Sequence, residues 1–169
     1  MRTDPPSCGA EQLQLTSFLD YQRETLLRKA EGLTDEQLAQ PLPPSTLTLG
    51  GLLNHLAYVE DTWFRVRFAG LSDDPLWGAV DWAADPDFDF RTAGDVPGDE
   101  LRRRYAEACA RSRQVVARTD TLDQRSAQAR ANGRYFDLRW VLLHMIEETA
   151  RHAGHADLLR EAVDGTVGD

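Results

Sequence analysis

Apolar residues recur along this chain at helical spacing in four long stretches separated by proline- and glycine-marked connections. The first stretch runs from about Ala10 to Gly32, on Leu13, Leu15, Phe18, Leu19, Tyr21, Leu26 and Leu27, with Gly32 as its C-terminal stop. Thr34-Asp35-Glu36-Gln37 then has the form of a capping box opening one or two short turns that end before Pro41. The second stretch runs from about Thr48 to Gly70, with Leu52, His55, Leu56, Val59, Thr62, Trp63 and Val66 along one stripe. Gly50 and Gly51 lower its helix propensity near the start, where a close approach to a neighbour would call for them. The third covers about Asp99 to Thr119, on Leu101, Tyr105, Ala108, Cys109, Ser112, Val115 and Val116. The fourth covers about Leu138 to Val163, and Gly165 ends it.

Between Leu71 and Gly98 the pattern breaks. Pro75, Pro86 and Pro97 exclude a long helix, while Trp77, Trp82, Phe88 and Phe90 are too apolar for a disordered linker. An ordered connection packed over the other helices is expected. Its aspartates (Asp73, Asp74, Asp81, Asp85, Asp87, Asp89) lack EF-hand spacing and read as a solvated surface. Arg125 to Leu138 alternates weakly around an Asn132-Gly133 turn signal, which predicts a short hairpin. Four helices of this length predict an all-α fold, a four-helix bundle forming a single domain over residues 1–169, with residues 1–9 a flexible tail. The long connection can return along the bundle and set the second and third helices parallel.

Composition narrows the function. The chain has 169 residues, 19 basic against 28 acidic, and a net charge of −9. That balance argues against nucleic-acid binding, which needs cations to neutralise phosphates. No apolar run is long enough to span a membrane, and the N-terminus lacks the apolar region of a secretory signal, so a cytoplasmic protein is expected. Cys8 and Cys109 do not make a disulfide framework, and Cys109 on an apolar stripe reads as a buried, inert thiol. Phosphate-binding loops, dinucleotide fingerprints, zinc-finger spacings and nucleophile elbows are missing from the sequence.

The informative anomaly is ionisable residues on apolar stripes, where burial is costly without a partner. The fourth helix carries Glu148, His152 and His155 in line with Leu138, Val141, Met145 and Leu159. Glu148 and His152 stand four residues apart and so share one face. The second helix brings His55 on the stripe of Leu52 and Val59. Two imidazoles and a carboxylate suit a divalent transition metal with open positions, and bundles assemble such sites from facing helices. His144 also falls in the four-residue repeat, but His144 and His152 lie about 12 Å apart along the axis, too far to share one ion comfortably with Glu148. His155 is open as a ligand, a supporting residue or a substrate contact. Each element also has an ordinary reading: a hydrogen-bonded core histidine, a surface Glu–His pair, a Trp63 that serves only the core. Glu147 points to solvent on this reading, and Arg151 and Arg160 pair with Asp157, Glu161 or their neighbours.

TLGGLLNHLAYVEDTWF around His55 and HMIEETARHAGHADLLREAVDG around Glu148 and His152 together resemble the DinB superfamily, over nearly the whole chain. The resemblance implies a bundle of up-down-down-up topology. It also implies a metal site taking one His from the second helix and an i, i+4 pair from the fourth. Many members have His at both positions of that pair. Glu148 departs from this and is similar to the mycothiol-dependent maleylpyruvate isomerase branch. By that resemblance His55, Glu148 and His152 are the ligands, and His144 and His155 are not. The resemblance further implies a divalent metal (zinc first, nickel or iron as alternatives) and chemistry in which mycothiol or a similar small thiol attacks an electrophilic small molecule, as transferase or isomerase. No residue is assigned as general acid or base. The alternatives are a non-catalytic metal-binding stress-response or interaction protein and an iron-dependent oxygenase. A homodimer is a further expectation, drawn from dimeric members of the superfamily.

Overall fold

A computed structural model describes residues 2–130 and 132–167, and it turns the four patterns into four long helices. In chain order the elements are α1 (Glu11–Ala30), α2 (Asp35–Leu38), α3 (Leu49–Glu60), α4 (Pro75–Gly78), α5 (Phe88–Arg91), α6 (Gly98–Ala117) and α7 (Leu138–Asp164). α3 continues without a break into a π-helical stretch, Asp61–Phe68, and a 3₁₀ turn, Thr92–Asp95, follows α5. The ends form where local chemistry satisfies the free backbone groups. Thr34 and Gln37 close the expected capping box, each side chain bonding the other's backbone N–H at 3.3 and 3.0 Å. Thr48 Oγ1 accepts from Gly51 N at 2.9 Å and Asp137 Oδ1 from Trp140 N at 2.7 Å, which start α3 and α7. Gly165, at φ 75°, ends α7 in the left-handed conformation that glycine adopts without strain.

Ion pairs and side-chain hydrogen bonds fix the helix directions. Arg104 reaches Asn54 and Arg111 reaches Asp61 at a constant offset of 50 residues, so α3 and α6 run parallel. Arg139 meets Glu11 at the start of α1, and Arg160 meets the Lys29 carbonyl near its end, so α1 and α7 are parallel too. Arg113 to Asp20 and Arg102 to the Ala30 carbonyl run the other way, making α6 antiparallel to α1. The bundle is therefore up-down-down-up. Its core holds Leu19, Leu26, Leu52, Leu56, Phe64, Leu101, Tyr105, Leu138, Leu142 and Met145, all essentially inaccessible. Each large apolar side chain contributes about 1.5–3 kcal/mol by leaving water. Cys109 is buried among them, and burial, reinforced by Glu60, pushes its thiol far above the ordinary range, as an inert core thiol requires.

Gly50 sits where α3 crosses α2 and α6. A Cβ there would lie 3.2 Å from both Leu101 Cδ1 and the Leu38 carbonyl oxygen, so glycine permits the close approach the sequence suggested. The 71–98 connection is ordered. Trp77 is buried, Trp82 stacks on Tyr58 at 4.2 Å, and Phe90 stacks on His55 at 4.3 Å. Arg2 donates to Thr25 Oγ1 at 2.7 Å and lies over the Tyr21 ring, which tethers the N-terminal residues to α1.

Several expectations are corrected. Among the described residues of 125–138 there is no hairpin of strands: one antiparallel bridge joins Arg125 and Asp137, and Gly133 takes φ 77°. The backbone bonds between its arms, Ser126 N to the Phe136 carbonyl, Leu138 N to the Gln124 carbonyl and Arg130 N to the Arg134 carbonyl, are too few for a two-stranded ladder. The α3 stripe is also rephased. In the π-helical stretch Ala69 N bonds Phe64 O, five residues back, so each turn is wider. Asp61, Phe64 and Phe68 are buried in consequence, while Trp63 and Val66 turn half outward. Arg151 pairs with Glu147, which is exposed as expected, and Arg160 with Asp164 at 2.8 Å; Asp157 goes to Lys29 instead. Helical i, i+4 spacing favours the first two pairs over the alternatives.

Candidate metal centre

His55 stands at the middle of α3, and Glu148 and His152 stand one turn apart on α7, which runs antiparallel to α3 beside it. The bundle brings these three together and leaves His144 out of the group: their ligand-type atoms all lie within 4.8 Å of one another. Glu148 Oε1 is 3.4 Å from His55 Nε2 and 3.3 Å from His152 Nε2. An ion held tetrahedrally at 2.0–2.1 Å sets its ligand atoms about 3.3–3.4 Å apart, so the spacing fits a first-row divalent metal without rearrangement of these edges. His55 and Glu148 are each 16% exposed at the side chain and His152 10%, a partly sheltered position that retains access from outside.

The rear nitrogens of both imidazoles are occupied. His55 Nδ1 lies 2.7 Å from Asp89 Oδ2, and His152 Nδ1 lies 3.3 Å from His155 Nδ1. Asp89 is buried, and its other oxygen accepts from Phe90 N at 3.0 Å. The Asp89 carbonyl accepts from Asn54 Nδ2 at 2.6 Å, and Asn54 Oδ1 accepts from Arg104 at 2.6 Å. Asp89 is thus fixed to α3 through its backbone and to His55 through its side chain. A carboxylate behind a ligating imidazole fixes the tautomer and turns Nε2 toward the ion. The solvated-surface reading of Asp89 is therefore replaced: α5 carries it inward, and the aromatic residues beside it were the only local sign.

The charged groups of the cluster shift one another. Burial opposes protonation of His55, but hydrogen bonds to Asp89 and Glu148 outweigh it and raise its pKa. Hydrogen bonds from His152 and His55 hold the Glu148 carboxyl well below the usual carboxylate range despite partial burial. His144 and His155 both shift down, His144 through burial with Arg67 and Arg130 nearby, His155 through burial with His152 and Arg151. Phe90 closes one side, stacked on His55 and tilted against His152 with centroids 6.4 Å apart.

Sequence reasoning missed a second buried pair. Arg23 of α1 grips Glu60 of α3 bidentately at 2.7 and 2.6 Å within the core. Arg23 stands four residues after Leu19 and three before Leu26, on the buried stripe of α1, and that spacing was a local signal available in the sequence.

A crystal structure of the mycothiol-dependent maleylpyruvate isomerase has a similar fold, with TM-score 0.62 at 15% identity, covering 86% of this chain. This chain spans 60% of that protein's length, and at such identity the likeness concerns the fold alone. Among curated proteins none matches. The family model described as mycothiol-S-transferase matches residues 14–165, from α1 through the end of α7 and both halves of the candidate centre. This chain belongs to the mycothiol S-transferase family.

Proposed function

We propose that the protein is a metal-dependent thiol transferase or isomerase, which uses mycothiol or a similar small thiol on an electrophilic small molecule. The observation that carries this reading is the convergence of His55, Glu148 and His152 within 4.8 Å in a chain of the mycothiol S-transferase family. Two nitrogens and one carboxylate oxygen suit zinc first, with nickel or iron as alternatives, and leave coordination positions open. A divalent ion held there supplies a site where a thiol ligates as its reactive thiolate.

The chain's own residues prepare that site. Asp89 accepts a hydrogen bond from the Nδ1–H of His55 and so keeps the Nε2 lone pair aimed at the centre. His155 holds the His152 ring through its Nδ1. Glu148 brings negative charge between the imidazoles and stays ionised throughout the neutral range. Phe90 keeps water from one face of His55. No side chain is assigned as general acid or base, and the thiol proton would pass to solvent.

The test is mycothiol consumption by purified, zinc-loaded protein with a model electrophile. Turnover that disappears in His152→Ala supports the proposal. A folded, metal-loaded protein inert across a broad panel of electrophiles would favour a non-catalytic metal-binding role.

A further inference from the structure

A cleft of about 550 Å³ opens beside the candidate centre, between the π-helical continuation of α3, the 125–137 segment and the first turns of α7. Trp63, Arg67, Arg130, Phe136, Trp140 and His144 line it. Its size is that of a small-molecule site. His144 lies one helical turn from Glu148, so the cleft begins where the candidate ligands end.

Two features give it chemistry. Arg67 lies 4.4 Å over the Trp63 ring, and Arg130 lies 4.4 and 4.5 Å over the rings of Phe136 and Trp140. The aromatic faces hold both guanidiniums in place without neutralising them. Among the described residues neither is in ion-pair contact with a carboxylate, although this chain carries net charge −9 and most of its other arginines are paired. Both also bear on His144, which stacks on Trp140 with centroids 5.0 Å apart: after burial, their positive charge helps to lower its pKa. The cleft therefore presents two preset cationic forks, the His144 imidazole and apolar ring edges.

We propose that this cleft binds the carboxylate of an organic substrate and orients the rest of that molecule toward Glu148. A planar guanidinium fork matches a carboxylate bidentately, and the rings favour an organic body over an inorganic anion. The role as substrate subsite rests on the thiol-transfer reading above. Carboxylate binding itself does not, and it is measured without metal or thiol.

The probe is para-fluorobenzoate, followed by fluorine NMR and by tryptophan emission, to which Trp63 and Trp140 contribute, in metal-free and zinc-loaded protein. Para-fluorobenzamide serves as the neutral counterpart and inorganic phosphate as the inorganic one. Saturable binding of the benzoate is expected in both forms, with the amide and phosphate weaker by about tenfold or more. Arg67→Gln and Arg130→Gln should each weaken it by a similar factor while the circular dichroism spectrum stays native. Equal binding of amide or phosphate, or wild-type affinity in both folded variants, would overturn the inference. If Arg130→Gln does not fold, Arg67→Gln, on a different element, decides the question alone. Binding that persists in a protein without thiol-transfer activity would refute the thiol reading and leave the carboxylate site standing.

Discussion

His55 Nδ1 and Asp89 Oδ2 lie 2.7 Å apart, joining the middle of α3 to a residue 34 positions later in the irregular connection. This contact explains why the long aromatic segment is ordered. Trp77, Trp82 and Phe90 pack it against the bundle, and the packing delivers one buried carboxylate to the back of one imidazole. Asp89→Asn keeps the shape and removes the charge. It should leave the fold intact and weaken zinc affinity by about 10–100-fold, measured by competition with a chromophoric chelator. Unchanged affinity would show that His55 needs no carboxylate behind it.

The proton and the metal compete for His55. Its raised pKa means that the metal-free protein gains stability from protonated His55 at pH values below the unfolded value, near 6.5. That contribution is lost as pH rises through the higher folded value. Metal binding requires the neutral ring, so zinc affinity should fall on acidification. Urea unfolding across this range should therefore show metal-free and zinc-loaded protein changing in opposite directions.

Arg23 and Glu60 form a buried, bidentate pair linking α1 to α3. Arg23→Met leaves Glu60 buried without its partner and should cost about 3–5 kcal/mol. The double variant Arg23→Met/Glu60→Leu should recover much of that loss, because it strands no charge. Denaturant midpoints of the two variants measure the difference.

Asp137 caps α7 through Trp140 N at 2.7 Å. Asp137→Ala should lower stability by about 1 kcal/mol and fray the first turn, which carries Trp140. Hydrogen exchange at the α7 N-terminus reads the fraying directly.

The long helices were legible in the sequence because each buries a stripe, and burial repeats with the helical period. Glu148 and His152 stood out for the same reason: they interrupt a row of Val141, Met145 and Leu159. Asp89 did not, because an irregular segment has no period against which a buried aspartate can be noticed. The π-helical stretch was invisible for a related reason. Trp63 and Val66 fit the ordinary helical spacing, and only the wider turn after Glu60 shifts the buried row to Phe64 and Phe68. Partners of long charged side chains, such as Arg23 with Glu60, depend on how helices meet in space, which local spacing does not encode.

Whether His55, Glu148 and His152 hold one divalent metal ion is decided by elemental analysis of purified protein after zinc loading and gel filtration, beside His55→Ala and His152→Ala. One zinc per chain in the wild type, and loss of that zinc in both folded variants, is the expected result. A folded wild-type protein that emerges without stoichiometric metal, or variants that retain it, would refute the proposed centre.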